Sequence, residues 1–150
     1  MDTKAKEGTD MYAEFSDYLV TGDEMIDSQH KELIAKINDL LANCEKGRGK
    51  VSATQTLGYL MDYTEFHFAA EEKLQEEIGY PGLEEHKVKH ADFCKVVSEL
   101  QEMLEDQEGP TEEFVEKVQE HVVQWLYKHI QGFDRSVAEY KNMVHNNNRL

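Results

Sequence analysis

His67 and Glu71 stand four residues apart, and so do His86 and His90. In a helix a four-residue step turns about 400°, so each pair lies within about 40° on one face, one turn apart. A neutral imidazole offers a ring nitrogen and a carboxylate offers oxygens, so these are metal ligands by type and by spacing. His30 and His129 occupy matching places in two other periodic stretches. Burying five imidazoles and a carboxylate is costly unless each finds a partner. A shared metal site is a partner for all six, and metal binding is the chemistry these residues predict. Asp134 follows His129 by five residues. That step turns about 500° and leaves Asp134 about 140° off in a straight helix. On spacing alone it points away, unless the helix ends, bulges or tightens between them, with Gly132 a place for the break.

Helices must carry these groups, and the chain supplies them. No stretch alternates apolar and polar residues for long, and the two prolines, Pro81 and Pro110, fall between periodic segments. The predicted fold class is all-α. Helices are expected over 23–44, 52–78, 83–106 and 111–132, with a shorter one over 134–144. Gly47-Arg48-Gly49, Gly79-Tyr80-Pro81-Gly82 and Gly109-Pro110 separate the first four. Thr111 opens the fourth, with Glu112 and Glu113 in its first turn. Residues 1–22 form an arm that offers Phe15, Tyr18 and Leu19 for packing, and Asn146-Asn147-Asn148 reads as a frayed tail.

Short loops between four helices predict an antiparallel up-down-up-down four-helix bundle. Steps of three and four give its inward positions. They are Ile26, His30, Leu33, Ile37, Leu40 and Cys44; Leu57, Leu60, Thr64, His67, Glu71, Leu74 and Ile78; Leu83, His86, His90, Phe93, Val97, Leu100 and Leu104; and Val115, Val118, Val122, Trp125 and His129. His30 is early in the first helix, His67 and Glu71 late in the second, His86 and His90 early in the third, His129 late in the fourth. In an antiparallel bundle those places are one end, and the six groups converge.

The chain has 150 residues, which suits one domain over 1–150, with a core over about 15–134 and a C-terminal helix and tail over 135–150. Sixteen Lys plus Arg against 31 Asp plus Glu leave a net charge of −15. Phosphate backbones would repel that charge, so nucleic acid is not an expected partner. Nor is a membrane, because mean hydropathy is −0.71 and no run approaches the ~18 apolar residues of a spanning helix. The N-terminus lacks the apolar run of a signal peptide. Cys44 and Cys94 are in no CxxC spacing and read as reduced thiols of a cytoplasmic protein, with Cys44 on an apolar stripe. The charge favours a monomer.

Several segments together resemble the hemerythrin family in its bacterial form. They are Ile26-Asp27-Ser28-Gln29-His30, His67-Phe68-Ala69-Ala70-Glu71-Glu72, Tyr80-Pro81, His86-x-x-x-His90-x-x-Phe93, and Trp125-Leu126-x-x-His129-Ile130-x-x-x-Asp134. The match spans roughly Phe15 to Asp134, and all seven ligand positions of that family's di-iron site are filled in order. Phe15 stands where the family commonly has Trp, and Leu74 where it commonly has Met. The resemblance implies two irons with an oxo or hydroxo bridge, bridging carboxylates Glu71 and Asp134, and reversible O₂ binding without enzymatic turnover. It makes Asp134 a ligand after all, reached through a distorted end of the fourth helix. It also implies His86, His90 and His129 on a coordinatively full iron and His30 and His67 on an open one. Two six-coordinate irons need twelve ligand positions, of which five imidazoles, two bridging carboxylates and the shared bridge fill eleven. O₂ would take the open position and be held as hydroperoxide. NO, azide and other small anions are further ligands of such a site. Phe93, Trp125, Leu33 and Leu126 are candidates for a dry lining, and each also serves as ordinary core.

A ferritin-like oxidase would need Glu three residues before its histidines. The residues there are Asp27, Thr64, Leu83, Lys87, Val118, Leu126 and Asn142. A zinc hydrolase of the His-Glu-x-x-His kind is also absent. A sensor of O₂, NO or redox state acting through a signalling partner, and a peroxide-consuming enzyme, share the same site and stay open as alternatives. A metal-free interaction bundle would have to bury the histidines without ligation. His121 and His145 lie outside the pattern and read as solvated.

Overall fold

The computed structural model describes residues 12–149, so residues 1–11 of the expected arm lie outside the described part. Helix α1 (Glu24–Glu45) starts where the Asp23 side chain accepts from the Ile26 amide at 3.0 Å. Such a cap satisfies an amide with no partner inside the helix. Asp27, one turn in, accepts from the Thr21 amide (2.9 Å), the Thr21 hydroxyl (2.7 Å) and the Gly22 amide (3.2 Å), fixing the angle at which the chain enters. Helix α2 (Gly49–Ile78) begins three residues earlier than the sequence suggests. It ends with Gly79 left-handed at φ 66°, where the Tyr80 and Gly79 amides return to the Gln75 and Glu76 carbonyls. Helix α3 (Leu83–Asp106) follows after four residues. The same turn needs a second glycine, because a Cβ on Gly82 would lie 2.8 Å from the Tyr80 ring.

The fourth rod is capped by Thr111, whose hydroxyl accepts from the Phe114 amide at 3.1 Å. It runs without a break through α4 (Glu112–Lys117), a π segment (Val118–Val123), α5 (Gln124–His129), a second π segment (Ile130–Asp134) and α6 (Arg135–Arg149). The expected end near Gly132 and the separate fifth helix are therefore corrected: the helix widens there instead of stopping. The backbone also stays helical past Asn146, where fraying was expected. The cause is visible in the buried row Phe114, Val118, Val122, Leu126, Ile130, Asp134 and Ala138. Successive members are four residues apart. In a uniform α-helix such a row drifts about 40° per step, and the wider π turns take up that drift.

The rods run antiparallel. Gln75, late in α2, meets His86, early in α3, while at the other end Lys50 donates to the Glu105 carbonyl at 2.9 Å. One apolar cluster fills the space between them, including Leu33, Ile37, Leu57, Leu60, Phe93, Val97 and Leu126. The arm closes one seam: Asn38 exchanges two hydrogen bonds with the Ala13 backbone, and the Glu14 amide donates to the Tyr127 hydroxyl at 2.8 Å. Phe15 and Leu19 pack as expected, but Tyr18 is 78% exposed. Cys44, Leu74, Ile78, Leu83, Val115 and Trp125 are half-buried instead of fully inside, and Phe114 takes the core place expected for Val115. No helix among the described residues is long and apolar enough to cross a membrane.

Candidate metal centre

The residues picked out by spacing arrive at one end of the bundle, and Asp134 joins them. His30, His67, Glu71, His86, His90, His129 and Asp134 are all buried, none more than 4% exposed. The second π segment lies between His129 and Asp134 and turns the Asp134 carboxylate back onto the imidazole face. Asp134 Oδ1 stands 3.0 Å from His86 Nε2 and 3.1 Å from His129 Nε2, while Oδ2 stands 2.7 Å from His30 Nε2. Glu71 Oε1 lies 3.2 Å from His90 Nε2, 3.5 Å from His86 Nε2 and 3.9 Å from His67 Nε2.

The ligand atoms fall into two overlapping sets, each within 4.8 Å throughout. One comprises Glu71, His86, His90, His129 and Asp134; the other comprises His30, His67 and Asp134. Several of these atoms have no hydrogen-bond partner: Nδ1 of His30, Nε2 of His67 and His90, and both oxygens of Glu71. Leaving so many buried polar atoms unpaired costs about 1–3 kcal/mol each. A pair of metal ions is a single remedy that satisfies them together, and the donor set of imidazole and carboxylate suits iron. The residues therefore fit the di-iron group.

Protonation supports the same use. Burial and the nearby His30 push the His67 imidazole down to about 3. Burial, with His86 beside it, pushes His90 down as well, and burial lowers His129 against the opposing pull of Asp134. These rings are neutral at neutral pH, as ligation requires. Burial, and then the charge of Asp134, raise Glu71 well above the usual carboxylate range. Burial acts to raise Asp134 too, but His129 and the hydrogen bonds from His129, His30 and His86 outweigh it and hold the group well below that range.

Three supporting side chains were not among the sequence expectations. Gln29 Oε1 accepts from His67 Nδ1 at 2.8 Å, Glu72 Oε2 from His90 Nδ1 at 2.8 Å, and the Gln75 carboxamide lies 2.9 Å from His86 Nδ1. Only Gln75 had a signal in the sequence: it extends His67 and Glu71 by one more step of four. Gln29 and Glu72 are chain neighbours of ligand candidates, which periodicity does not distinguish from surface residues.

Aromatic rings wall the cluster. Phe68 stacks on His90 at 3.7 Å and 4°. His129 has Trp125 at 4.4 Å and Phe133 at 5.3 Å, each at 14° to it. Of the expected lining, Leu33, Phe93 and Leu126 are buried and Trp125 is half-buried. His121 and His145 are exposed and away from the cluster. Cys44 and Cys94 are free thiols, and burial pushes Cys44 up to about 11, far from a thiolate.

Residues 21–140 match the family model described as the hemerythrin HHE cation binding domain. The chain is 36% identical over 126 residues to a bacteriohemerythrin of Stenotrophomonas maltophilia, covering 83% of this chain and 78% of that protein. It is 32% identical over 109 residues to a myohemerythrin of Riftia pachyptila, covering 73% and 77%. A solved structure of a hemerythrin point mutant superposes with a TM-score of 0.65 at 25% identity, covering 76% of this chain and 84% of that one.

Proposed function

Because the chain belongs to the hemerythrin family, we propose that it binds O₂ reversibly at two irons held by His30, His67, Glu71, His86, His90, His129 and Asp134, and that it serves as an oxygen carrier or store. The observation that carries this reading is the division of the ligand atoms into two sets that share Asp134. His86, His90 and His129 would hold one metal and His30 and His67 the other, with Asp134 and Glu71 as the carboxylates available to both. The side with fewer ligands is the side with room for a small molecule. A reduced di-iron pair supplies the two electrons that reversible O₂ binding requires.

The rest is done by the protein's own side chains. Five imidazoles and two carboxylates would fix the positions of the metals, and four rods hold those groups from four directions. Leu33, Phe93, Leu126 and Trp125 keep water from the cluster, which limits irreversible oxidation. Nothing in the cluster is arranged as a nucleophile beside a base, so the proposed role is binding and not turnover. The whole chain acts as one domain.

The test is visible absorption of the iron-loaded protein, reduced without air, exposed to O₂ and then purged with inert gas. A band that appears with O₂ and disappears on purging is the expected result. A band that appears and does not reverse would replace the carrier reading with a redox sensor or a peroxide-consuming enzyme. No band, with no iron by metal analysis, would overturn the di-iron reading itself.

A further inference from the structure

Among the three side chains that support the imidazoles from behind, one differs in kind. Gln29 and Gln75 bring neutral carboxamides to His67 and His86, while Glu72 brings a carboxylate to His90. Glu72 follows Glu71 on α2, so a step of about 100° around the helix sends Glu71 into the bundle and Glu72 outward against α3. There Glu72 is 26% exposed. It shares with His90, Phe68, Lys87 and Glu65 the wall of a groove of about 440 Å³ between the two helices.

Glu72 is not needed to hold the ring still. Phe68 already lies flat on His90 at 3.7 Å and 4°, and that stack fixes the ring plane without it. What Glu72 adds is a negative charge on the Nδ1–H. A carboxylate there makes the opposite nitrogen a stronger electron donor, as carboxylate–histidine pairs do at metal sites generally. A carboxamide in the same place orients the ring without that charge.

We propose that Glu72 is a positioning residue that makes His90 the most electron-donating of the five imidazoles and so biases the three-histidine side of the centre toward its oxidised state. The inference rests on the di-iron reading above. It gives the two sides different electronic character through the identity of one residue outside the ligand set.

The test compares midpoint potentials, measured by spectroelectrochemistry on iron-loaded protein, for wild type, Glu72→Gln, Glu65→Gln and Gln29→Glu. Glu72→Gln retains an acceptor for the Nδ1–H and removes the charge. It is expected to keep its iron and to raise the potential, increasing the reduced-to-oxidised ratio at a fixed applied potential about ten-fold, which is 59 mV for one electron. Glu65→Gln removes a charge from the same groove without touching a ligand and is expected to move the potential far less. Gln29→Glu is the converse change, placing a carboxylate on His67, and is expected to lower the potential. An unchanged potential in Glu72→Gln, or an equal shift in Glu65→Gln, overturns the proposal. If Glu72→Gln fails to load iron, Gln29→Glu decides: a potential that stays or rises overturns it. Iron content of the wild type separates the two failures, since a wild type without iron defeats the di-iron reading and not this inference alone.

Discussion

Gln75 lies fully inside the molecule against His86, although it touches no proposed site for a metal. Its work is to hold a ring. Gln75→Leu keeps the volume and removes the hydrogen bond, leaving His86 Nδ1 buried without a partner, a loss of about 1–3 kcal/mol. The expected outcome is a 10–100-fold weaker hold on iron, read by competition with a chelator. Unchanged iron affinity would show that packing alone orients His86. Replacing a proposed ligand acts more severely: Glu71→Ala removes the carboxylate next to three imidazoles, and iron content below two per chain is expected by metal analysis. At this scale the sequence was legible where function and periodicity coincide. His30, His67, Glu71, His86, His90 and His129 could be placed on the inward faces of four helices, at one end of the bundle, by counting residues. Asp134 could not, because counting assumes a regular helix, and it entered only through the family resemblance. Gln29 and Glu72 were illegible because a residue that supports a ligand from outside obeys no periodic rule.

The fourth rod shows what a regular-helix assumption conceals. α3 has the expected bounds and α1 lies one residue further along than expected, since their apolar positions follow steps of three and four and their ends carry caps or glycines. The fourth rod instead buries Phe114, Val118, Val122, Leu126, Ile130, Asp134 and Ala138 at a constant step of four. That row is written in the sequence, and it is the signature of a helix wound more loosely than an α-helix. The expected Val115 and Trp125 are half-buried for the same reason. The winding has a direct functional reading. Deleting Gly132 would restore a tighter turn and swing Asp134 about 100° around the axis. Loss of at least one iron is expected, with helix content by circular dichroism nearly unchanged. A deletion variant that still binds two irons would show that the π segment is not what delivers Asp134.

Metal removal tests the molecule as a whole. Iron at a hundred-fold excess over its dissociation constant would stabilise the fold by about 2.7 kcal/mol. At about 2–4 °C per kcal/mol for a domain of this size, the metal-free protein should melt at least about 5–10 °C lower. Its stability should also fall as pH drops. His67, His90 and His129 have folded values below the ordinary histidine value of about 6.5, so the unfolded chain binds more protons below that pH. The loss begins as pH falls through about 6.5 and continues toward about 3 for His67. Asp134, held low, adds a loss below the ordinary aspartate range. Glu71 acts in the opposite sense: its raised value favours the fold at low pH, and that contribution is lost as pH rises through the folded value. Three imidazoles outweigh one carboxyl, so the denaturation midpoint of the metal-free protein should fall between pH 7 and pH 5, and a flat profile would contradict the buried neutral rings.

The four-residue turn after α2 has a bearing on how the molecule comes into being. His67, Glu71, His86 and His90 lie on the two helices it joins, within a single hairpin of the chain. Loops this short close at small entropic cost and early. His30 must wait for a more distant pairing, and His129 and Asp134 belong to the last rod to be synthesised. A ribosome therefore releases His30 and the four hairpin ligands before the rod that carries His129 and Asp134 exists, and those four lie in one local unit. In pulse-labelled hydrogen exchange during refolding, the amides of α2 and α3 beside Gly79 should gain protection first, ahead of the rod that carries Asp134. Assembly then has an order, in which half of the metal cradle precedes the fold that completes it.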